Sequence, residues 1–258
     1  HTPAASRLAA ASRPFLEAPP DGFSDVPLLR PRGNLLVADA EKAQHLRAVF
    51  RRESAVQPGL EPLSVEQALE RVPFLDPDWL AAAFFDPDCW DIEVENLLQG
   101  FVRGARQAGA AFAFDVRLHA LRRERNGWVV ETEDGSLRAG LVVDAAGAWA
   151  DEVARLGGLE PLGLVPHRRT AIHVDVPDRE LHRMPEVNEI DEAFYFKPDA
   201  GRLLVSPADE TPCEPQDAAP EELDVAYAVH YLTQCTTLTV ERVPHAWAGL
   251  RTFARDRA

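Results

Sequence analysis

The run Leu141-Val142-Val143-Asp144-Ala145-Ala146-Gly147-Ala148-Trp149-Ala150 constrains the fold of this chain more than any other stretch. An apolar, strand-like segment ends in small residues, and a helix begins near Asp151 and stops at Gly157-Gly158. A strand that runs straight into a helix is the repeating unit of an α/β layer. Small residues at the junction let a ligand approach the backbone, and ligands in open α/β sheets sit at the carboxyl ends of strands. The helix start also presents unpaired N–H groups to an anion. By itself the pattern fits a tight strand-to-helix connection without a ligand equally well.

The surrounding periodicity places this junction. Residues 4–17 carry Leu8, Ala11 and Phe15 at helical spacing and end at Pro19-Pro20-Asp21-Gly22. Gly33 to Ala38 reads as a strand and Glu41 to Phe50 as a helix. Ser64 with Gln67 matches a capping box opening a short helix. Pro73, Pro77 and Pro87 divide the next stretch into irregular pieces. Asp91 to Ala108 is the clearest helix, with Val94, Leu97, Leu98, Phe101, Val102 and Ala105 on one face and Gly109 as its stop. Strands are expected at Ala111–Phe114, at Trp128–Thr132 and, after the Asp134-Gly135 turn, at Leu137–Val143. In the second half, 170–176, 193–197, 203–206 and 238–243 are strand-like, with one helix from Pro220 to about Cys235. Strands without intervening helices predict an antiparallel sheet. Asp209–Pro220, rich in Pro, Asp and Glu, reads as an exposed loop. The fold class is thus α/β around 91–158 followed by α+β at about 165–245.

Composition narrows the partners. A formal net charge of −15 over 258 residues argues against nucleic acid and against an anionic lipid surface. No apolar run approaches the roughly 20 residues of a membrane helix. Cys89, Cys213 and Cys235 are too far apart for a metal set and are expected as free thiols. The lack of a signal-like apolar core makes a cytoplasmic location the default. The chain opens on His1 and closes on a run that reads as the middle of an element, so both ends are expected to lie inside a longer protein.

Several segments, in order and spacing, resemble one family. Val142 to Ala154 is similar to the second flavin-contacting segment of the FAD-dependent D-amino-acid oxidase, glycine oxidase and sarcosine oxidase group. Pro166-His167-Arg168-Arg169-Thr170 resembles the segment after the flavin helix. Phe194-Tyr195-Phe196-Lys197-Pro198 and 204–210 resemble the strand pair of the substrate domain, and 245–253 the return to the flavin. The closest likeness is to the bacterial branch that includes D-arginine dehydrogenase-like enzymes. The resemblance implies FAD as cofactor and oxidative deamination of a D-amino acid, with the flavin carrying the redox step and no acid–base triad needed when the substrate amine arrives neutral. It implies that Arg169 and Arg251 hold the substrate carboxylate, with Tyr195 beside them. It puts Asn34 at the side-chain end of the pocket, where a neutral amide suits a neutral side chain. Ala145, Ala146 and Gly147 would line the phosphate–ribityl side of the flavin. Leu118 would meet the adenine, with a register shift open across 116–119. Trp149 is either a flavin contact or a core residue. Arg168 and Arg169 fall on opposite faces of a strand, so only one can face the pocket. His167 and His245 read as structural.

The expected division is a flavin-binding part at 1–32, 91–164 and 246–258 and a substrate-binding part at 33–90 and 165–245. The chain departs from the family in lacking an opening GxGxxG turn, since Gly22 and Gly33 lack that spacing. The Gly-rich stretch that follows the Gly-Leu-Arg segment in the family is absent too. Two alternatives therefore stand beside the D-amino-acid enzyme: a module that does not hold FAD, and a relative acting on glycine, sarcosine or a glycerophosphate-type substrate.

Overall fold

The computed structural model describes residues 3–176 and 181–255. Parts of the expected divisions at 1–32, 165–245 and 246–258 thus lie outside the described residues. The first half forms α1 (Pro3–Glu17), β1 (Leu29–Pro31), β2 (Asn34–Ala38), α2 (Ala43–Glu53), β3 (Glu61–Leu63), α3 (Val65–Arg71), β4 (Ala82–Asp86), β5 (Trp90–Ile92) and α4 (Val94–Gln107). Next come β6 (Leu118–Glu124), β7 (Gly127–Thr132), β8 (Gly135–Ala139), a 3₁₀ turn at Gly147–Trp149 and α5 (Ala150–Leu156). The rest forms β9 (Val165–Val174), a 3₁₀ turn at Leu181–Arg183, β10 (Glu186–Glu189), β11 (Tyr195–Asp199), β12 (Arg202–Ser206), β13 (Thr211–Pro212), α6 (Glu222–Cys235) and β14 (His245–Phe253).

Nine strands make one sheet in the order β13-β9-β12-β11-β10-β2-β4-β3, with β14 paired along the length of β9. Its pairings are antiparallel except β10 with β2, which run parallel. The sheet is therefore mixed, and strands from residues 34–86 belong to it as fully as those of the second half. Alternation sorts the two faces, as a period of two requires. Leu35, Val37, Ile172, Val174, Val187, Phe196, Leu203 and Val205 point to one side. There they pack on Ala68 of α3, on Phe74 and on Ala228, Leu232 and Cys235 of α6. Burying each large apolar side chain contributes about 1.5–3 kcal/mol. The alternate residues Asn34, Glu186, Asn188, Tyr195, Lys197, Arg169 and Arg251 share the opposite side. That side is covered at the β2–β4 end, where Ala43 and Leu46 of α2 pack on Phe84 and Leu36. Away from α2 it stays open.

Several expected elements appear as read. The capping box forms: the Gln67 backbone N–H donates to Ser64 Oγ at 3.2 Å, and the Ser64 N–H donates to Gln67 Oε1 at 2.9 Å. Helix α4 forms and crosses close to the chain after α1. Gly100 is required there, because a Cβ would sit 2.4 Å from the Phe23 ring. Phe15, Phe23 and Phe101 complete that contact, with ring centroids 5.0–5.6 Å apart.

Three expected strands are corrected. Ala111–Phe114 is irregular, with Phe112 and Phe114 stacked on each other. The return strand ends at Ala139, so Leu141 to Ala146 has no ladder, and Leu141 and Val143 are exposed. Among the described residues neither segment has a partner strand, and apolar alternation makes a strand only when its backbone is paired. Residues 238–243 are also irregular. Leu238, Val240 and Val243 are apolar because they pack on the core beneath α6. Conversely β4, read as irregular between prolines, is a paired strand. No described helix is long and apolar enough to cross a membrane.

Candidate functional site

The site begins with β9, where consecutive arginines face opposite ways. Arg168 turns into the covered face. Its Nε and Nη2 donate to Asp224 Oδ2 at 3.2 and 3.0 Å, and Nη1 to Glu221, so it ties β9 to α6. Arg169 turns to the open face. Its Nη2 donates to Glu210 Oε1 at 3.1 Å, while its Nε is buried without a hydrogen-bond partner. A buried guanidinium N–H without an acceptor is costly, and a ligand carboxylate would satisfy it.

The loop beside Arg169 is firmly built. Asp209 accepts from the Thr170 backbone N–H at 2.6 Å and from its hydroxyl at 3.1 Å. Ser206 Oγ donates to the Thr170 carbonyl at 2.6 Å and accepts from the Ala208 N–H at 3.1 Å. Ala208 is held at φ 51°. Non-glycine residues in this region concentrate at binding sites. Asp151 sets the entry to β9: its carboxylate accepts from the N–H groups of Leu162, Gly163 and Leu164 at 2.9–3.0 Å.

A cleft of about 370 Å³ opens on this face, lined by Arg169, Tyr195, Arg251, Lys197, Glu186, Asn188, Glu192, Leu204 and Ala208. The register explains the grouping. Gly249 of β14 stands opposite Arg169, so Arg251, two residues on, shares its face. Asn188 stands opposite Tyr195. Arg169, Tyr195 and Arg251 are thus brought together. Asn34 is one shell back, accepting a 2.9 Å hydrogen bond from the amide of Asn188. Glu186, Glu192 and Lys197 were missed by sequence reasoning. β10 carried no strand signal of its own, and only the sheet register brings it beside β11.

Lys197 is engaged: its ammonium donates to Asp91 Oδ1 at 3.0 Å, and Arg32 holds Oδ2 at 2.6–2.7 Å. Burial pulls the Lys197 pKa down, but the Asp91 hydrogen bond and the charges of Asp91 and Glu186 outweigh it and raise it. Burial likewise pushes Asp91 up, and its two cations more than reverse the shift. Cys89, near these carboxylates, is pushed up to about 11, mainly by burial and then by the charge of Glu186. Such a thiol is neutral and unreactive at neutral pH.

A second cleft, of about 630 Å³, adjoins the first through β14. Ala145–Trp149 forms one wall, and Ala248, Gly249 and Leu250 line it beside residues 216–218. A Cβ at Gly147 or at Gly249 would meet nothing within 4 Å. Gly147 also has φ 56°, which favours glycine. Walls of small residues with open space on both sides fit the approach of a flat, phosphate-bearing cofactor to the backbone. Leu118 lies in a third cleft, with Arg117, His119 and Glu152. Trp149 lines both the second and the third and is 42% exposed, which places it outside the core. His167 Nδ1 donates to the Val165 carbonyl, 3.0 Å away, and its ring meets Phe253 edge-on. His245 stacks on Trp247.

Comparison with known proteins joins these features. The family profile described as FAD dependent oxidoreductase (DAO) matches residues 1–258. Human mitochondrial dimethylglycine dehydrogenase is 31% identical over 145 residues, which is 55% of this chain and 17% of that protein. Glycine oxidase of Geobacillus kaustophilus is 28% identical over 150 residues, 58% of this chain and 39% of that protein. The chain therefore matches well under two thirds of the length of these relatives. The crystal structure of the Geobacillus kaustophilus glycine oxidase superposes with a TM-score of 0.82 at 24% identity, covering 98% of this chain and 68% of that one. That of the Bacillus cereus glycine oxidase gives 0.84 at 18% identity, covering 100% and 71%. The chain belongs to the DAO family of FAD-dependent oxidoreductases, whose cofactor is FAD.

Proposed function

We propose that the protein oxidises a small amino acid held in the cleft between Arg169, Arg251 and Tyr195, with a D-amino acid as the first reading. The observation that supports it is the shared face of the two arginines, one with a buried Nε lacking an acceptor. Arg251 makes no side-chain hydrogen bond or ion pair among the described residues, so its fork is open to a carboxylate. Tyr195 supplies a hydroxyl and an apolar ring at the same wall. When bound, FAD would supply a two-electron acceptor for the hydride leaving the substrate α-carbon, and water would hydrolyse the resulting imino acid to an oxo acid and ammonia.

This chain's residues bind and orient. The arginines fix the carboxylate and Tyr195 limits rotation about it. The small-residue wall at Ala145–Gly147 and Gly249 leaves room for the cofactor next to that carboxylate. Ala145, Ala146, Gly147 and Trp149 are the residues we assign to the flavin, with Leu118 toward its far end. Residues 1–32, 91–164 and 246–258 form the flavin-binding share in this reading, and 33–90 and 165–245 the substrate share. A second reading is an N-methylated glycine as substrate, supported by the likeness to dimethylglycine dehydrogenase. The test is anaerobic addition of D-alanine, D-proline, D-phenylalanine, D-arginine, their L-forms, glycine, sarcosine and dimethylglycine to the flavoprotein. Bleaching by D-amino acids and not by L-forms supports the first reading. Bleaching by the methylated glycines alone supports the second, and no bleaching by any of them contradicts both.

A further inference from the structure

We infer that Glu186 sets the charge preference of the cleft, as the counter-charge for a cationic group at the end of the substrate away from its carboxylate. The inference rests on the carboxylate being held by Arg169 and Arg251.

Three observations carry it. First, Glu186 lies on the cleft face of β10, opposite Asn34 and two residues from Asn188, while its neighbour Val187 is buried in the core. Second, among the described residues Glu186 accepts no side-chain hydrogen bond and makes no ion pair. The nearby ammonium of Lys197 feels its charge but donates to Asp91. Third, the cleft is polarised. Arg169 and Arg251 stand on β9 and β14, and Glu186 stands on β10 with β12 and β11 between. The register puts Glu186 in the row of Lys197, Leu204 and His173, so three strand spacings across the sheet and four residues along β9 separate the backbones of Arg169 and Glu186 by roughly 20 Å. The long side chains reduce this to the length of a small molecule. The span is too long for an ammonium next to the held carboxylate and suits a cation several bonds away. Glu192 lines the rim from the turn at the other end of β10, at φ 58°, and leaves Glu186 as the carboxylate that faces the far end of a ligand. A second carboxylate at that end of a ligand would be repelled. Asn34 alone predicts a neutral side chain; Glu186 shifts that preference to a basic one.

The probes are three unreactive carboxylates of similar length: butyrate, guanidinobutyrate and glutarate. Each is titrated calorimetrically into the flavoprotein. The wild type should bind guanidinobutyrate about ten- to hundredfold tighter than butyrate, as one charge-assisted hydrogen bond allows, with glutarate weakest. Glu186→Gln should collapse that difference and leave butyrate within about twofold, the scale of a residue that does not touch the carboxylate. Glu186→Asp should keep the order of the three. An unchanged preference in Glu186→Gln, or butyrate bound as tightly as guanidinobutyrate by the wild type, overturns the assignment to Glu186 and leaves the arginine reading standing. Failure of all three to bind the wild type overturns both.

Discussion

On the covered face of the large sheet the arginine of β9 is fully paired; on the open face Arg169, Arg251 and Glu186 keep groups available. Arg168 and Arg169 show the difference at one peptide bond's distance. Arg168 meets Asp224 and Glu221 and serves as a clamp between β9 and α6. Arg169 has Glu210 on one nitrogen and nothing on its buried Nε. The same contrast holds for the open-face groups Arg251 and Glu186 against the packed row Val187, Phe196 and Ile172. A folded chain rarely leaves buried or cleft-bound charge unmatched unless a ligand completes it.

The contrast can be broken from either side. Arg168→Ala leaves Asp224 buried without its cation and should cost about 3–5 kcal/mol in urea unfolding. Arg169→Ala should cost under about 1 kcal/mol in the same assay, because its Glu210 pair lies at the cleft edge. Equal losses would erase the distinction between clamp and ligand arginine. Gly249→Val tests the neighbouring cleft. A Cβ there would meet no protein atom within 4 Å, so the melting temperature should hold while flavin affinity falls about tenfold or more, the scale of a filled site. Retained flavin affinity would move the cofactor away from Gly249. Ser64→Ala, far from both clefts, should cost about 1 kcal/mol through the lost cap, with substrate affinity unchanged.

A smaller effect sharpens the boundary of the site. Asp91 is held below the ordinary carboxylate range because Lys197 and Arg32 outweigh its burial. A depressed folded pKa means the contribution is complete above the unfolded value of about 3.9 and is lost as pH falls through the lower folded value. Asp91→Asn should therefore flatten the acid side of a melting-temperature profile below about pH 4, and a steeper acid side in the variant would contradict the assignment.

How much of this was legible in the sequence depends on the range of the interaction. The Ser64 cap, α4 and the opposite facing of Arg168 and Arg169 are local and follow from spacing. The junction at Ala145–Trp149 was visible as a pattern, yet its preceding strand was over-read, since Leu141 and Val143 have no partner strand among the described residues. β10 and β4 were not legible because their identity as strands comes from neighbours distant in sequence: β10 pairs with β2 and β11, and β4 with β2 and β3. Glu186 and Lys197 became site residues only through that register. The residues of β14 were placed by family resemblance, and the nine-residue ladder with β9 supplies the physical reason for their position.

The central claim is that Arg169 and Arg251 together receive a carboxylate. The direct test is calorimetric titration of butyrate into the flavoprotein and into its Arg169→Ala and Arg251→Ala variants, with unfolding curves confirming that both remain folded. Each substitution should weaken binding about ten- to hundredfold. Butyrate affinity unchanged in both folded variants would contradict the account.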